Sequence, residues 1–227
     1  LRGLNPAFGH KPVYLTPDFV KDITSIGGSI LSTSRGPQDI SVMVDYLEQQ
    51  KVNMLFCVGG DGTMRAAEKL NAEIASRGIA LGVVGIPKTI DNDLNLIEKS
   101  FGFDTAIEKT VEALRSAHVE AKGAFNGIGL VKIMGRHSGY IASTAALAQG
   151  DVNFVLIPEV PFDLGGAKGF LQALTSRIQK RGHAVILVAE GAGQELITQG
   201  SGKRETDASG NVRLADIGLF LKDRIEE

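Results

Sequence analysis

An α/β fold of two Rossmann-like lobes with mainly parallel sheets is predicted by three features of the sequence. Five short apolar runs rich in valine and isoleucine read as strands, amphipathic stretches of helical period separate them, and the unusual residues collect where strands end. Near-continuous apolar strands are the mark of strands buried on both faces. Their alternation with helices implies right-handed βαβ crossovers and hence parallel sheets.

Taken in order, "VNMLFCV" is the first such run and leads through "GGDGT" into an amphipathic stretch from Met64 to Arg77. "IALGVVGI" follows and ends in "PKTIDNDL", before a long helical pattern from Phe103 to Ala121. "GIGLVKI" runs into "MGRHSGY" and a helix from Ser138 to Gln149. "VNFVLIP" is closed by Pro158 and followed by Glu159, and a helix from Ala167 to Arg181 precedes "HAVILVA". The segment from Gln199 to Arg213 is polar and Gly/Ser-rich, as exposed loops are. The long helix is the expected bridge between lobes, which places one lobe at residues 1–122 and the other at 123–227.

Composition narrows the function classes. The 227 residues are 43% hydrophobic and 22% charged, with a formal net charge of −2. That balance lacks the basic excess of a general nucleic-acid or membrane-surface binder. Cys57 is the only cysteine, so no intramolecular disulfide can form, and its place in an apolar run makes it a small buried hydrophobe. No apolar run reaches the roughly 18 residues that span a bilayer, and "LRGLNPAFGH" lacks a signal-peptide pattern. A soluble, cytoplasmic protein in a reducing compartment is expected.

Ligands of open parallel sheets gather outside the carboxyl ends of the strands. In "GGDGT", glycines let backbone amides approach an anion, the following helix N-terminus favours negative charge, and Asp61 can hold a magnesium ion. The plain alternative is a tight turn with Asp61 or Thr63 as helix cap. "PKTIDNDL" places Lys88 beside Asp91 and Asp93, which a solvated turn would also accommodate. At "MGRHSGY", Arg136 suits a phosphate or carboxylate because its planar fork binds oxyanions at two points; a surface ion pair is the alternative. Glu159 can accept hydrogen bonds from sugar hydroxyls, and His137 reads as a packing or capping residue. Simpler motifs fail: the dinucleotide spacing is broken around Gly60, Gly62 and Arg65, Ile197 stands where a P-loop needs its first glycine, and Leu96 and Gly102 break a calcium loop.

Taken together, "GGDGT", "PKTIDNDL", "FGFDTAIEKTVEAL", "KIMGRHSGY", "IPEVPF" and "AVILVAEGAGQ" resemble the phosphofructokinase family, in the family's order and over most of the chain. The likeness is greatest to the ATP-dependent subgroup of plants and trypanosomatids, which shares the lysine of "PKTIDND" with pyrophosphate-using enzymes. The resemblance implies magnesium-dependent phosphoryl transfer from ATP to the 1-hydroxyl of fructose 6-phosphate, in an allosteric glycolytic enzyme that is a homo-oligomer, a tetramer in this family.

Position by position, the resemblance makes Asp91 the catalytic base and Thr89 its partner on the transferred group, with Lys88 adding positive charge and Arg35 reaching the phosphates. Gly60, Asp61, Gly62 and Thr63 become the nucleotide contacts, Asp61 also the metal ligand. Thr89, Asp91, Asp93, Met134, Gly135, Arg136 and Glu159 become the sugar-phosphate contacts. Lysine and metal beside Asp91 would put its pKa at or below about 3.9. Such a weak base suffices for a loose transition state, in which proton removal comes late.

Departures from the family pattern stand at Gly127, where bacterial members carry an arginine seven residues before the methionine of "MGR", and at Arg65 and Ala66. The family's first strand and loop and its C-terminal histidine and arginine are not in the sequence, so a piece of a longer protein is expected. The alternatives are a pyrophosphate-dependent enzyme, or a catalytically incomplete chain that binds ligand or pairs with a complete subunit. Gly62 favours ATP, because pyrophosphate enzymes place an aspartate there.

Overall fold

The computed structural model describes residues 2–34, 36–198, 206 and 212–227. The chain divides into two compact units, one of Leu1–Ile86 with Glu205–Val212, the other of Pro87–Arg204 with Arg213–Glu227.

In the first unit, a short helix α1 (Pro17–Val20) precedes α2 (Ile40–Gln49), β1 (Met54–Gly59), α3 (Asp61–Ser76) and β2 (Gly82–Pro87), whose last residue begins the second unit. Helix α2 starts where the Asp39 carboxylate accepts the Val42 N–H at 3.2 Å, a side-chain cap for one of the orphan donors of the first turn. Strands β1 and β2 are hydrogen-bonded neighbours in a two-stranded sheet. Their one-sided core joins Met43, Val44 and Leu47 of α2 to Leu70 and Ile74 of α3 and to Leu81. The sequence predicts β1 buried on both faces, but Met54, Phe56 and Val58 are more than half exposed. The reason is that this core covers only the alternate face, the one that carries Leu55.

The second unit contains α4 (Phe103–Gly123), β3 (Gly127–Ile133), α5 (Tyr140–Gln149), β4 (Phe154–Leu156), α6 (Phe170–Arg181), β5 (His183–Ala189), α7 (Gln194–Thr198) and α8 (Ile217–Glu226). Its sheet is parallel with strand order β3-β5-β4, and β5 pairs Gly127↔His183 through Ile133↔Ala189 on one side and Phe154↔Ile186 through Leu156↔Val188 on the other. As the central strand, β5 is wholly apolar after His183 and fully buried from Ala184 to Ala189. Its even-numbered residues join Phe170, Leu174, Ile217 and Leu221 of α6 and α8, while its odd-numbered ones join Leu114, Ala142 and Ala145 of α4 and α5. Two helical layers thus sandwich one sheet, and each large side chain of β5 contributes about 1.5–3 kcal/mol by leaving water.

Strand β4 is shorter than its apolar run. Asn153 bonds Val185 with both its backbone N–H and its side-chain oxygen at 2.9 Å, and Pro158 has no N–H with which to extend the ladder. Helix α4 lies wholly in the second unit, packed on β3, β5 and α5. The division between compact units therefore falls at Ile86 and Pro87, ahead of the 122/123 boundary that the sequence predicts. Gly127 explains one departure. A Cβ there would overlap the Ala121 carbonyl, so the close approach of α4 leaves no room for an arginine side chain. Among the described residues, no helix is long and apolar enough to cross a membrane.

Candidate active site

Each unit carries its own group of candidate residues at the ends of its strands. In the first, β1 turns through Gly59 and Gly60 into α3. A Cβ on Gly59 would overlap Thr63 Oγ1, which is why this turn is built of glycine. Gly60 caps α3 without a side-chain hydrogen bond, and its carbonyl takes the Thr63 and Met64 N–H groups at 2.9 and 3.0 Å. The N–H groups that open a helix are a general anion site. Gly62 lies within this first turn at an ordinary φ, with open space where a Cβ would stand.

Asp61 is exposed and ion-paired with Arg65 one turn along, at 2.9 Å. Among the described residues no three His, Cys, Asp or Glu side chains cluster closely enough to cage a metal. Magnesium on a nucleotide needs no such cage, since it takes one or two carboxylates and draws its other ligands from phosphates and water. A single exposed acid at a helix N-terminus fits that demand.

In the second unit, the loop after Pro87 is held at several points. Phe101 N–H donates to the Pro87 carbonyl at 2.9 Å, and Lys88 bridges Phe101 in a single parallel pair. The Asp91 N–H donates to Thr89 Oγ1 at 3.2 Å, and the Asp91 carbonyl accepts the Ser138 hydroxyl at 2.8 Å. Asn92 adopts φ 52°, a left-handed conformation that asparagine tolerates. Its Oδ1 accepts the Ser100 N–H at 2.8 Å and its Nδ2 donates to the Glu98 carbonyl at 3.2 Å, closing the Asn92–Ser100 turn.

Burial raises the Asp91 pKa above its ordinary value, and the charges of Asp93 and Glu190 add to the rise, while Arg136 and His137 pull it down. The sequence predicts a pKa at or below the ordinary value, from the lysine of the same motif together with a bound metal. Desolvation dominates here, and Lys88 is exposed and not among the causes.

Beyond β3, Gly135 takes φ 138°, a conformation nearly reserved for glycine, and the chain turns sharply into Arg136. The Gly191 N–H donates to the Gly135 carbonyl at 3.1 Å, and a Cβ at Gly191 would overlap the Arg136 carbonyl. The ends of β3 and β5 are therefore locked together. Glu159 accepts the Gly139 N–H at 2.7 Å through Oε1, so a residue read as a sugar contact also supports the start of α5. Met134 is exposed, and Arg136 is half-buried.

Around Asp91 the structure thus gathers Asp93, Arg136 and His137, with Glu159 beside the same turn. Gly60, Asp61, Gly62 and Thr63 form a separate group in the first unit. Arg35 lies outside the described residues. Glu190 is the charged group that sequence reasoning missed. It directly follows β5, the most buried strand, so the strand-end rule that points to Arg136 points to it too.

A family model described as Phosphofructokinase matches residues 2–227. The chain is similar to the ATP-dependent 6-phosphofructokinase of Borreliella burgdorferi, with 48% identity over 232 residues, covering 100% of this chain and 52% of that protein. It is similar also to the ATP-dependent 6-phosphofructokinase of Trypanosoma cruzi, with 47% identity over 224 residues, covering 99% of this chain and 45% of that one. The chain spans about half the length of these curated relatives. Among solved structures, the pyrophosphate-dependent phosphofructokinase from Marinobacter aquaeolei superposes with a TM-score of 0.71 at 20% identity, over 93% of this chain and 50% of that one. That likeness bears on the fold alone.

Proposed function

The chain belongs to the phosphofructokinase family, and from that premise we propose that its whole protein transfers a phosphoryl group from ATP to the 1-hydroxyl of fructose 6-phosphate, giving fructose 1,6-bisphosphate. The observation that carries this reading is Asp91, a half-buried carboxylate whose own backbone is fixed on both sides and which shares its surroundings with Arg136.

The first unit serves the donor. Helix α3 directs its opening N–H groups at the nucleotide phosphates, and Asp61 would hold magnesium in place of its ion pair with Arg65. An exposed ion pair of this kind is easily broken. When bound there, magnesium would supply charge neutralisation at the phosphates. The space at Gly62 leaves room for a nucleotide beyond its two outer phosphates, and the relatives named as ATP-dependent support ATP over pyrophosphate.

The second unit serves the acceptor. Arg136 takes the sugar phosphate through its guanidinium fork, with Met134, Gly135, Asp93 and Glu159 around the sugar. Asp91 accepts the proton of the 1-hydroxyl as the new P–O bond forms, and Thr89, Lys88 and Arg35 attend the transferred group. A carboxylate with a raised pKa is a better base than one held low by a lysine, so burial of Asp91 works in favour of proton transfer. A cytoplasmic homo-oligomer is the setting we infer from the family resemblance.

The direct test is Asp91→Asn in the full-length protein. Turnover falls by about 10²–10⁴-fold while sugar-phosphate affinity changes little, because the amide keeps the shape and loses the acceptor. Unchanged turnover in a folded variant rules the role out.

A further inference from the structure

Three polar residues are buried among the described residues: Ser100, Thr110 and Ser138. Thr110 bonds the Ala106 carbonyl inside its own helix, an ordinary local solution. The two serines do something different. Ser100 Oγ donates to the Thr89 carbonyl at 2.7 Å across 11 residues, and Ser138 Oγ donates to the Asp91 carbonyl at 2.8 Å across 47. Both grip one three-residue segment, Thr89–Ile90–Asp91, at alternate carbonyls.

Burying a hydroxyl is costly unless it is hydrogen-bonded, so such groups persist where they fix something. Ser138 sits two residues after Arg136, in the turn whose carbonyls meet the Gly191 amide and whose next residue, Gly139, donates to Glu159. The serine therefore joins the loop of the base to the loop of the acceptor-binding arginine. We infer that Ser138 is a positioning residue for phosphoryl transfer, holding the Asp91 backbone at a fixed place relative to Arg136, with Ser100 steadying the same segment at Thr89. This rests on the reading of Asp91 as base.

With the Ser138 hydroxyl gone, the Asp91 carbonyl is unpaired and its segment is free to relax. The substrate still binds through Arg136, but the carboxylate no longer meets the 1-hydroxyl in line. Misplacement on the order of 1 Å costs about 10²-fold in rate. The loss falls on turnover and spares binding, which separates positioning from general loosening of the fold.

The experiment is a double-mutant cycle in the full-length enzyme with Ser138→Ala, Asp91→Asn and their combination, recording kcat and the KM values for ATP and fructose 6-phosphate. Ser138→Ala is expected to lower kcat by about 10–100-fold with both KM values within about threefold of wild type. In the Asp91→Asn background the same change is expected to lower kcat by less than about threefold, because the carboxylate it positions is gone. An equal loss in both backgrounds, or full turnover for Ser138→Ala alone, overturns the inference. Full turnover for Asp91→Asn overturns instead the reading of Asp91 on which it rests. Should Ser138→Ala fail to fold, Ser138→Cys, a weaker donor, takes its place in the cycle with the same two outcomes. Ser138→Thr, which keeps the hydroxyl, is expected to retain more turnover than either.

Discussion

The Glu159 carboxylate accepts the Gly139 N–H at 2.7 Å, so an acid at the end of one strand supports the helix that follows another. A Cβ on Gly139 would stand 2.7 Å from Glu159 Oε2 and equally close to Ile157, which leaves glycine as the residue that lets the two loops meet. Glu159→Ala is expected to cost about 0.5–2 kcal/mol, the range for losing a helix-capping acceptor. It also raises the KM for fructose 6-phosphate. Glu159→Gln keeps an acceptor oxygen and recovers most of the stability. Denaturant unfolding and steady-state kinetics on the three proteins check this.

Asp91 links stability to pH in the direction opposite to most carboxylates. Its folded pKa is raised, so the folded protein holds the proton to higher pH than the unfolded chain does. Stability contributed by this group therefore falls as pH rises from the unfolded value, about 3.9, through the raised folded value. Asp91→Asn is expected to be more stable than wild type at neutral pH, with the gain vanishing below the unfolded pKa. Chemical unfolding at pH 7 and pH 3.5 measures it, and a variant less stable at pH 7 contradicts burial as the leading cause.

Much of this was legible in the chain, and what was not has physical reasons. The bounds of β3 and β5 follow from uninterrupted apolar runs, and the helices from their period. Helix α2 was missed although Asp39 caps it and Ile40, Met43, Val44 and Leu47 recur at helical spacing, and α8 was missed behind its Asp216 cap. Asp91, Arg136 and Glu159 stand as candidates on the rule that strand ends carry chemistry. Ser100, Ser138 and Glu190 come to Thr89 and Asp91 from distant segments, which periodicity does not encode. The raised pKa of Asp91 comes first from burial, which the presence of Lys88 in the same motif does not encode.

On the proposed reading, Arg136 recognises an oxyanion on the acceptor. Arg136→Ala is expected to raise the KM for fructose 6-phosphate by about 10–100-fold, the equivalent of losing a charged hydrogen bond of about 1.5–3 kcal/mol. The KM for ATP changes little. Arg136→Lys restores only part, since an ammonium lacks the planar fork. A defect confined to the donor would place Arg136 on the wrong substrate.

The proposed reading makes Gly62 the residue that separates the two donors. Its φ is ordinary and nothing lies within 4 Å of a Cβ there, so Gly62→Ala should fold at least as well as wild type, gaining up to about 1 kcal/mol from helix propensity. Gly62→Asp should fold too, since an acid suits the first turn of a helix. Its carboxylate would nonetheless repel the nucleotide, and kcat/KM for ATP is expected to fall at least about tenfold more than in Gly62→Ala. Equal ATP use by the alanine and aspartate variants contradicts the placement.

The central claim is that this family member moves phosphate from ATP to fructose 6-phosphate with Asp91 as the proton acceptor. It is tested most directly by measuring fructose 1,6-bisphosphate formed by the full-length protein and its Asp91→Asn variant, with magnesium and either ATP or pyrophosphate as donor. The expected result is a wild type with the higher kcat/KM for ATP and a folded variant whose kcat is lower by about 10²–10⁴-fold. A wild type that prefers pyrophosphate, or a variant that keeps full turnover, would contradict it.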